Sequence, residues 1–131
     1  IAERAWAQVE VLEKGGVEPP KLEISQARDA LEVSFAGGEA YVLPAEMLRV
    51  MSPSAEVQGH SPEQRVTLGG KRNVKIAELR PVGNYAVRIV FDDRHDSGLY
   101  SWSYLEQLGR ERDKRWAAYL EELKAKGLKR E

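Results

Sequence analysis

Short runs in which apolar and polar residues alternate predict a sheet built from short strands. They lie at residues 22–24, 31–35, 39–43, 66–68, 74–79, 85–91 and 99–102. In the run at 85–91, we expect Tyr85, Val87, Ile89 and Phe91 to share one side of the strand. In the run at 74–79, Leu79 falls out of phase with Val74 and Ile76, which indicates a β-bulge.

Glycine, proline and serine separate these strands. Gly37 and Gly38 predict a hairpin turn, because glycine readily adopts the positive φ that a tight turn requires. Pro44 suits the first position of a short helix at 45–50. Ser52 is the predicted N-cap of a second short helix, which ends at Gly59.

Helices are also predicted towards the two ends of the chain. Helical spacing of apolar residues covers 1–14. Ser103 and Glu106 form a capping-box pattern for a helix at 104–108, which Gly109 breaks or kinks. A longer helix at 110–126 has Trp116, Leu120 and Leu123 on one side, and its i,i+4 ion pairs are Glu111 with Arg115 and Glu122 with Lys126.

These elements predict an α+β fold, a mostly antiparallel sheet with short helices and a C-terminal helical extension. We divide the chain into an N-terminal helix and linker at 1–20, a domain at 21–109 and a C-terminal helix at 110–131. The 131 residues are 42% apolar, which suits one domain with a single core.

Composition narrows the functional classes. Without cysteine the chain forms no disulfide and holds no thiolate-bound metal or cluster, and we expect it to be cytoplasmic. No apolar run approaches the ~20 residues of a membrane span, so we expect no membrane partner. A net charge of −1 provides no general attraction to nucleic acid, which we do not expect as a partner either.

Residues suited to catalysis or metal binding are few. His60 and His95 are the only histidines, and with Asp93 they are candidates for an iron or zinc site. Asp93 precedes His95, whereas iron oxygenases have the opposite order, so we favour a structural role in which His95 fixes its loop through hydrogen bonds. No serine stands in a Gly-x-Ser-x-Gly motif. We therefore predict that the protein is not an enzyme.

Four blocks of sequence carry a family resemblance: LRVMSPSAEVQGH (48–60), GGKRNVKI (69–76), PVGNYAVRIVFDDRHDSGLYSWSYL (81–105) and Leu108-Gly109. Together they resemble the gamma-butyrobetaine hydroxylase-like N-terminal domain over roughly 31–109. The resemblance implies a small bacterial stand-alone member, a domain of unknown function. It also implies a protein partner, because similar domains precede the catalytic domain of oxygenases or are fused to Mrp-type ATPases of iron–sulfur cluster assembly.

The resemblance also bears on metal binding. Eukaryotic hydroxylases of this type have a structural zinc site of three cysteines and one histidine. The resemblance places His95 at the histidine position and Ser52, Ser54 and Val57 at the cysteine positions. Hydroxyls and a valine do not replace thiolates on zinc, so we expect no cofactor and less than one zinc per chain.

We therefore expect a non-enzymatic accessory or protein-interaction domain of undetermined oligomeric state. The loops at 52–60, 69–73 and 92–97 are predicted to gather on one side as its contact surface, since polar loops on a rigid sheet commonly carry function. The alternatives are an iron–sulfur assembly helper beside an Mrp-type ATPase and a metal-binding domain that uses His95 and His60. The predicted surface consists of Arg49, Ser52, Ser54, Glu56, His60, Lys71, Arg72, Asp93, His95 and Ser97.

Overall fold

The computed structural model describes residues 19–59 and 64–131. These residues form two three-stranded antiparallel sheets and four helices, which confirms the predicted α+β fold. The predicted helix at 1–14 and residues 15–18 of the linker lie outside the described residues. In chain order the elements are β1 (Lys21–Ile24), β2 (Ala30–Ser34), β3 (Ala40–Pro44), α1 (Ala45–Val50), α2 (Ala55–Gln58), β4 (Ile76–Val82), β5 (Ala86–Phe91), β6 (Leu99–Ser101), α3 (Trp102–Arg110) and α4 (Arg112–Ala125).

The first sheet has the order β1–β2–β3 and matches its predicted strands. Leu31 and Val33 are fully buried while Glu32 between them is exposed, so the alternation in sequence becomes two faces of the sheet. The β2–β3 turn closes where the backbone NH of Phe35 donates to the carbonyl of Glu39 at 2.7 Å. Gly38 has a φ of 98° in this turn.

The second sheet has the order β4–β5–β6. Val87, Ile89 and Phe91 are buried as predicted, and β4 contains the predicted bulge, between Ile76 and Glu78. The expectation for Tyr85 is wrong, because this residue is 60% exposed. It precedes β5 and lies in the turn, where its backbone NH donates to the Val82 carbonyl.

The inner faces of both sheets share one hydrophobic core with α1 and α3. Tyr100 is the largest fully buried side chain in it, and its hydroxyl donates to the carbonyl of Leu48 at 2.5 Å. The core therefore buries this phenol without leaving its hydroxyl unpaired. The other buried members include Leu31, Val33, Leu43, Met47, Leu48, Ile76, Val87, Ile89, Phe91, Leu105 and Leu108.

Arg28 joins the two sheets at the start of β4. Its φ of 62° turns the chain so that its carbonyl accepts from the backbone NH of Ile76 at 2.8 Å. Its guanidinium donates back to the carbonyls of Ile76, at 2.7 Å, and Ala77. The backbone groups of Ile76 and Ala77 at the start of β4 are thus hydrogen-bonded within the domain.

Each of the two serine caps lies two residues from its predicted position. Ser54 caps α2 by accepting from the backbone NH of Glu56, and Ser101 caps α3 by accepting from that of Tyr104, each at 3.2 Å. The predicted caps Ser52 and Ser103 are wrong, because Ser52 bonds to a distant residue and Trp102 already begins α3. Pro44 is likewise the N-cap of α1 and not its first residue.

The break or kink predicted at Gly109 falls two residues later in the structure. The helix continues to Arg110, and Glu111 separates it from α4. The glycine is explained by packing, because a Cβ atom at position 109 would overlap the ring of Tyr41 on β3.

Residues 66–68 are not a strand, although their alternation predicted one. The backbone NH of Val66 donates to the Val57 carbonyl at 2.7 Å, and the Leu68 carbonyl accepts from the Tyr119 hydroxyl at 2.5 Å. The segment is therefore held by α2 and α4.

The α4 helix packs on the domain through a different set of residues than predicted. Tyr119 and Leu123 are buried against Val50, with Trp116 beside them, whereas Leu120 is 40% exposed. Of the two predicted ion pairs, Glu111 and Arg115 form theirs at 2.8 Å. The other is not formed, because Glu122 pairs with Arg65 and Lys126 donates to the Thr67 hydroxyl.

The residues after α4 also contact the domain. Backbone NH groups of Gly70 and Arg72 donate to the carbonyls of Lys129 and Arg130, at 2.9 and 3.0 Å. Arg130 forms two bonds to the buried carboxylate of Glu46, at 2.7 and 2.9 Å. Segment 110–131 is thus part of the packed structure. None of the helices in the described ranges is long and apolar enough to cross a bilayer.

The close approach at Gly109 gives a stability prediction. Gly109→Ala should lower the free energy of unfolding by about 1–3 kcal/mol, because the new methyl group must displace the Tyr41 ring. The matched control is Gly37→Ala, where nothing lies within 4 Å of the added Cβ atom. Urea denaturation of both variants measures the difference, and equal stabilities would contradict this account of Gly109.

Candidate functional site

The candidate site forms where two loops meet. The first, residues 51–59, follows α1 and contains α2. Pro53 within it lacks the NH that a continuing helix would use. The second, residues 92–98, joins β5 to β6. The Phe91 NH donates to the His95 carbonyl at 3.0 Å, and Arg94 between them has a φ of 74°.

Side-chain contacts connect the first loop and the adjoining end of α1 to the second loop. The hydroxyl of Ser52 lies 2.9 Å from Nε2 of His95, and that of Ser54 lies 2.6 Å from the hydroxyl of Ser97. At the end of α1, Nε of Arg49 donates to Oδ2 of Asp93 at 2.8 Å. We call the set Arg49, Ser52, Ser54, Glu56, Lys71, Asp93, His95 and Ser97 the His95 cluster.

Both ring nitrogens of His95 have partners. Nδ1 lies 3.0 Å from Oε1 of Glu56, and a carboxylate only accepts, so Nδ1 carries the proton. Nε2 then accepts from Ser52, whose oxygen accepts in turn from the backbone NH of Ser54 at 3.2 Å. Burial, together with the charge of Arg49, lowers the pKa of His95, although Glu56 and Asp93 act in the opposite direction. His95 was predicted to fix its loop through hydrogen bonds, and the structure shows two such bonds from its ring, one of them to a carboxylate.

Asp93 balances the positive charge of the cluster. Burial would raise its pKa, but hydrogen bonds from Lys71, at 2.6 Å, from Arg49 and from the His95 NH lower it to about 2. The carboxylate is therefore ionised at neutral pH. Nη1 of Arg49 is buried and has no hydrogen-bond partner among the described residues.

The structure brings together eight of the ten residues predicted as a surface. The side chain of Arg72 pairs instead with Glu131 at 2.5 Å, and His60 lies outside the described residues. Within the cluster, Arg49, Ser52, Ser54 and His95 are buried, whereas the Glu56 side chain is 69% exposed. The buried members hold the loops together, and a partner would meet mainly the exposed ones.

The residues at the family's zinc position do not fit zinc. Ser52 and Ser54 are bonded to His95 and Ser97, and Val57 is a buried apolar side chain. Both nitrogens of His95 already have partners. Across residues 19–59 and 64–131, no group of three or more His, Cys, Asp or Glu is arranged to hold a metal ion.

Ser52, His95 and Glu56 are connected in the same order as the nucleophile, base and acid of a serine hydrolase. Sequence reasoning found no such arrangement, since no elbow motif surrounds Ser52. The serine has no exposed surface, however, and even a Cβ atom at Gly98 would overlap its oxygen. A substrate carbonyl has no space to approach Ser52 in this conformation.

A groove of about 430 Å³ lies beside the cluster, where the end of α1 and α2, α3 and α4 meet. Its floor is formed by Val50, Met51, Pro53 and the rings of Tyr104 and Tyr119. Both tyrosine hydroxyls donate to backbone carbonyls at 2.5 Å, so they leave the floor apolar.

The charged rim of the groove is internally paired. Arg65 pairs with Glu122, and Arg115 pairs with Glu111. Gln58 lines the groove and also donates to the Ser52 carbonyl at 2.8 Å, which connects the groove wall to the His95 cluster. Sequence reasoning missed this groove, because no local pattern in the sequence indicates it.

Comparison with known proteins agrees with this fold. A family model described as "Gamma-butyrobetaine hydroxylase-like, N-terminal" matches residues 22–106, and the chain belongs to that family. No match was found among curated proteins.

Solved structures include close relatives of the chain. One NMR solution structure is 44% identical to it and covers 88% of this chain and 92% of its own. A second NMR structure is 41% identical and covers 92% of this chain and 91% of its own. Both have a TM-score of 0.75. A crystal structure of a DUF971-family protein of unknown function from Acidithiobacillus ferrooxidans is 33% identical. It has a TM-score of 0.57 and covers 69% of this chain and 91% of its own.

The lowered pKa of His95 predicts a loss of stability on acidification. The unfolded chain takes up the proton first, so the contribution of His95 is complete above pH ~6.5 and is lost as the pH falls through the lower folded-state value. Urea denaturation between pH ~7.5 and ~5 should show this loss in the wild type and less of it in His95→Gln. An equal pH dependence in both proteins would contradict the prediction.

The lowered pKa of Asp93 predicts that its contribution to stability is lost only at a lower pH than that of His95. Asp93→Asn should cost about 1 kcal/mol at pH 7, after allowance for solvent screening, because it removes the carboxylate that Arg49 and Lys71 share. The deficit should shrink as the pH falls from ~4 towards 2, since wild-type Asp93 is then protonated too. Chemical denaturation measures this stability deficit. Substitution of the exposed Asp96 in the same loop, Asp96→Asn, is the control.

Proposed function

We propose that this domain is a non-enzymatic accessory module that binds a protein partner through the groove between α2, α3 and α4. The observation that carries the proposal is the contrast between the two neighbouring sites. Ser52 and His95 of the cluster are buried and hydrogen-bonded to each other, whereas the groove leaves part of its apolar lining accessible. Apolar surface that remains accessible in a concave site is typical of a binding site.

The occupant that fits best is an amphipathic helix of the partner with aliphatic side chains on one face. The floor offers apolar contacts, and the rim charges are already paired, so no strongly charged ligand is required. Helix-in-groove recognition uses this combination of an apolar floor and a polar rim. An oxygenase-type partner agrees with the family description, which names the N-terminal part of a hydroxylase-like protein.

In this proposal the His95 cluster has a positioning role. It fixes residues 52–54 and thereby Pro53 and Gln58, which line one wall of the groove. Preformed walls lower the entropic cost of binding, because fewer side chains have to be ordered when the partner arrives.

Two adjacent alanines on α4 provide a matched test. Ala118 lines the groove, whereas Ala117 is exposed beside it and does not. Ala118→Glu should reduce recovery of the partner in co-purification from the native cell by about tenfold or more, and Ala117→Glu should leave it unchanged. The unfolding free energies of both variants should stay within about 0.5 kcal/mol of the wild type.

Hydrogen exchange on the recovered complex locates the contact. Protection of the backbone of α4 around Ala118 and of α3 around Tyr104 would support the proposal. Equal recovery with both glutamate variants, or protection confined to another face, would contradict it.

A further inference from the structure

The outer face of the second sheet carries a cation, Arg88, that has no ion-pair partner in the part of the chain that the structure describes. The strand register places Arg88 on the central strand, with Arg80 directly opposite on β4 and Leu99 directly opposite on β6. Ala86 and Val90 lie two residues from Arg88 along β5 and therefore on the same side. The side chains on the other face, including Val87 and Ile89, are in the core.

The two arginines differ in their bonding. Arg80 forms two bonds to Glu78, at 3.0 and 3.2 Å. Arg88 takes part in none of the ion pairs among residues 19–59 and 64–131, and its buried Nε has no hydrogen-bond partner. A buried donor of a charged group without an acceptor is destabilising, and so are like charges on directly opposite residues.

The surroundings of Arg88 are mostly aliphatic. Leu99 is 41% exposed, and Val82 and Val90 are half-buried. A nucleic-acid site would carry several cations for successive phosphates. A single unpaired arginine among aliphatic side chains is complementary instead to one carboxylate with apolar neighbours.

We propose that this face of the β4–β5–β6 sheet binds a protein segment in which a glutamate or aspartate is flanked by aliphatic residues. The carboxylate pairs with the two terminal nitrogens of the Arg88 guanidinium, because Nε is buried, and the aliphatic side chains lie on Leu99 and Val90. The face shares no residue with the groove, so it is a second contact site beyond the proposed function.

The side-chain NH of Arg88 provides a direct measurement. The full chain labelled with ¹⁵N is titrated with the acetylated peptide Val-Glu-Val-Glu-Val-Glu-Val. The Arg88 Nε resonance and the Leu99 backbone amide should shift. The counterpart peptide with glutamine in place of glutamate should bind at least about tenfold more weakly.

Variants separate this site from the others. Arg88→Gln should weaken binding of the glutamate peptide by about tenfold or more, whereas Arg112→Gln on α4 and the groove variant Ala118→Glu should bind it as the wild type does. Loss of binding in Ala118→Glu but not in Arg88→Gln would assign the peptide to the groove and overturn the proposal.

Three further outcomes would also overturn it. One is equal binding of the two peptides, and another is an equal response to a single-stranded oligonucleotide, which would indicate a phosphate site. The third is a shift of the Arg88 resonance when Glu10 and Glu13 are replaced by glutamine, which would assign the face to the chain's own N-terminal segment.

Discussion

The hydrogen bond between Ser52 and His95 connects two loops that are 43 residues apart in the sequence, and much of the irregular structure depends on it. A buried imidazole is tolerated only when its polar atoms are satisfied, and here Glu56 and Ser52 satisfy both nitrogens. The same bond fixes residues 52–54, which lead into α2 and include Pro53 of the groove wall. It also fixes the loop that leads into β6 and α3. The core orients the strands, and this polar contact orients the loops.

The fold could be predicted from sequence where the signal is local. Alternation over five or more residues located β2, β5 and the bulge in β4, because a strand with one buried face imposes a period of two. The short run at 66–68 was misleading, since three residues do not distinguish a strand from an extended segment held by helices. Leu120 was misassigned because the amphipathic Tyr119 took its place on the buried side of α4.

The site could be predicted only in part. The polar loop around His95 indicated a hydrogen-bonded histidine, but its partners Ser52 and Glu56 are distant in sequence and no local pattern reveals them. For the same reason Ser52 was mistaken for a helix cap, since its hydroxyl is used in a long-range contact. The groove could not be inferred, because it depends on how α3 and α4 pack and not on their individual patterns.

The contact of Arg28 with β4 has a consequence for self-association. β4 is an edge strand, and its unpaired backbone groups would be a template for a strand of another molecule. Arg28 occupies the carbonyls of Ile76 and Ala77 at one end, and Pro81 offers no NH at the other. The edge that could recruit another chain is therefore blocked at both ends, which protects the protein against aggregation by strand pairing.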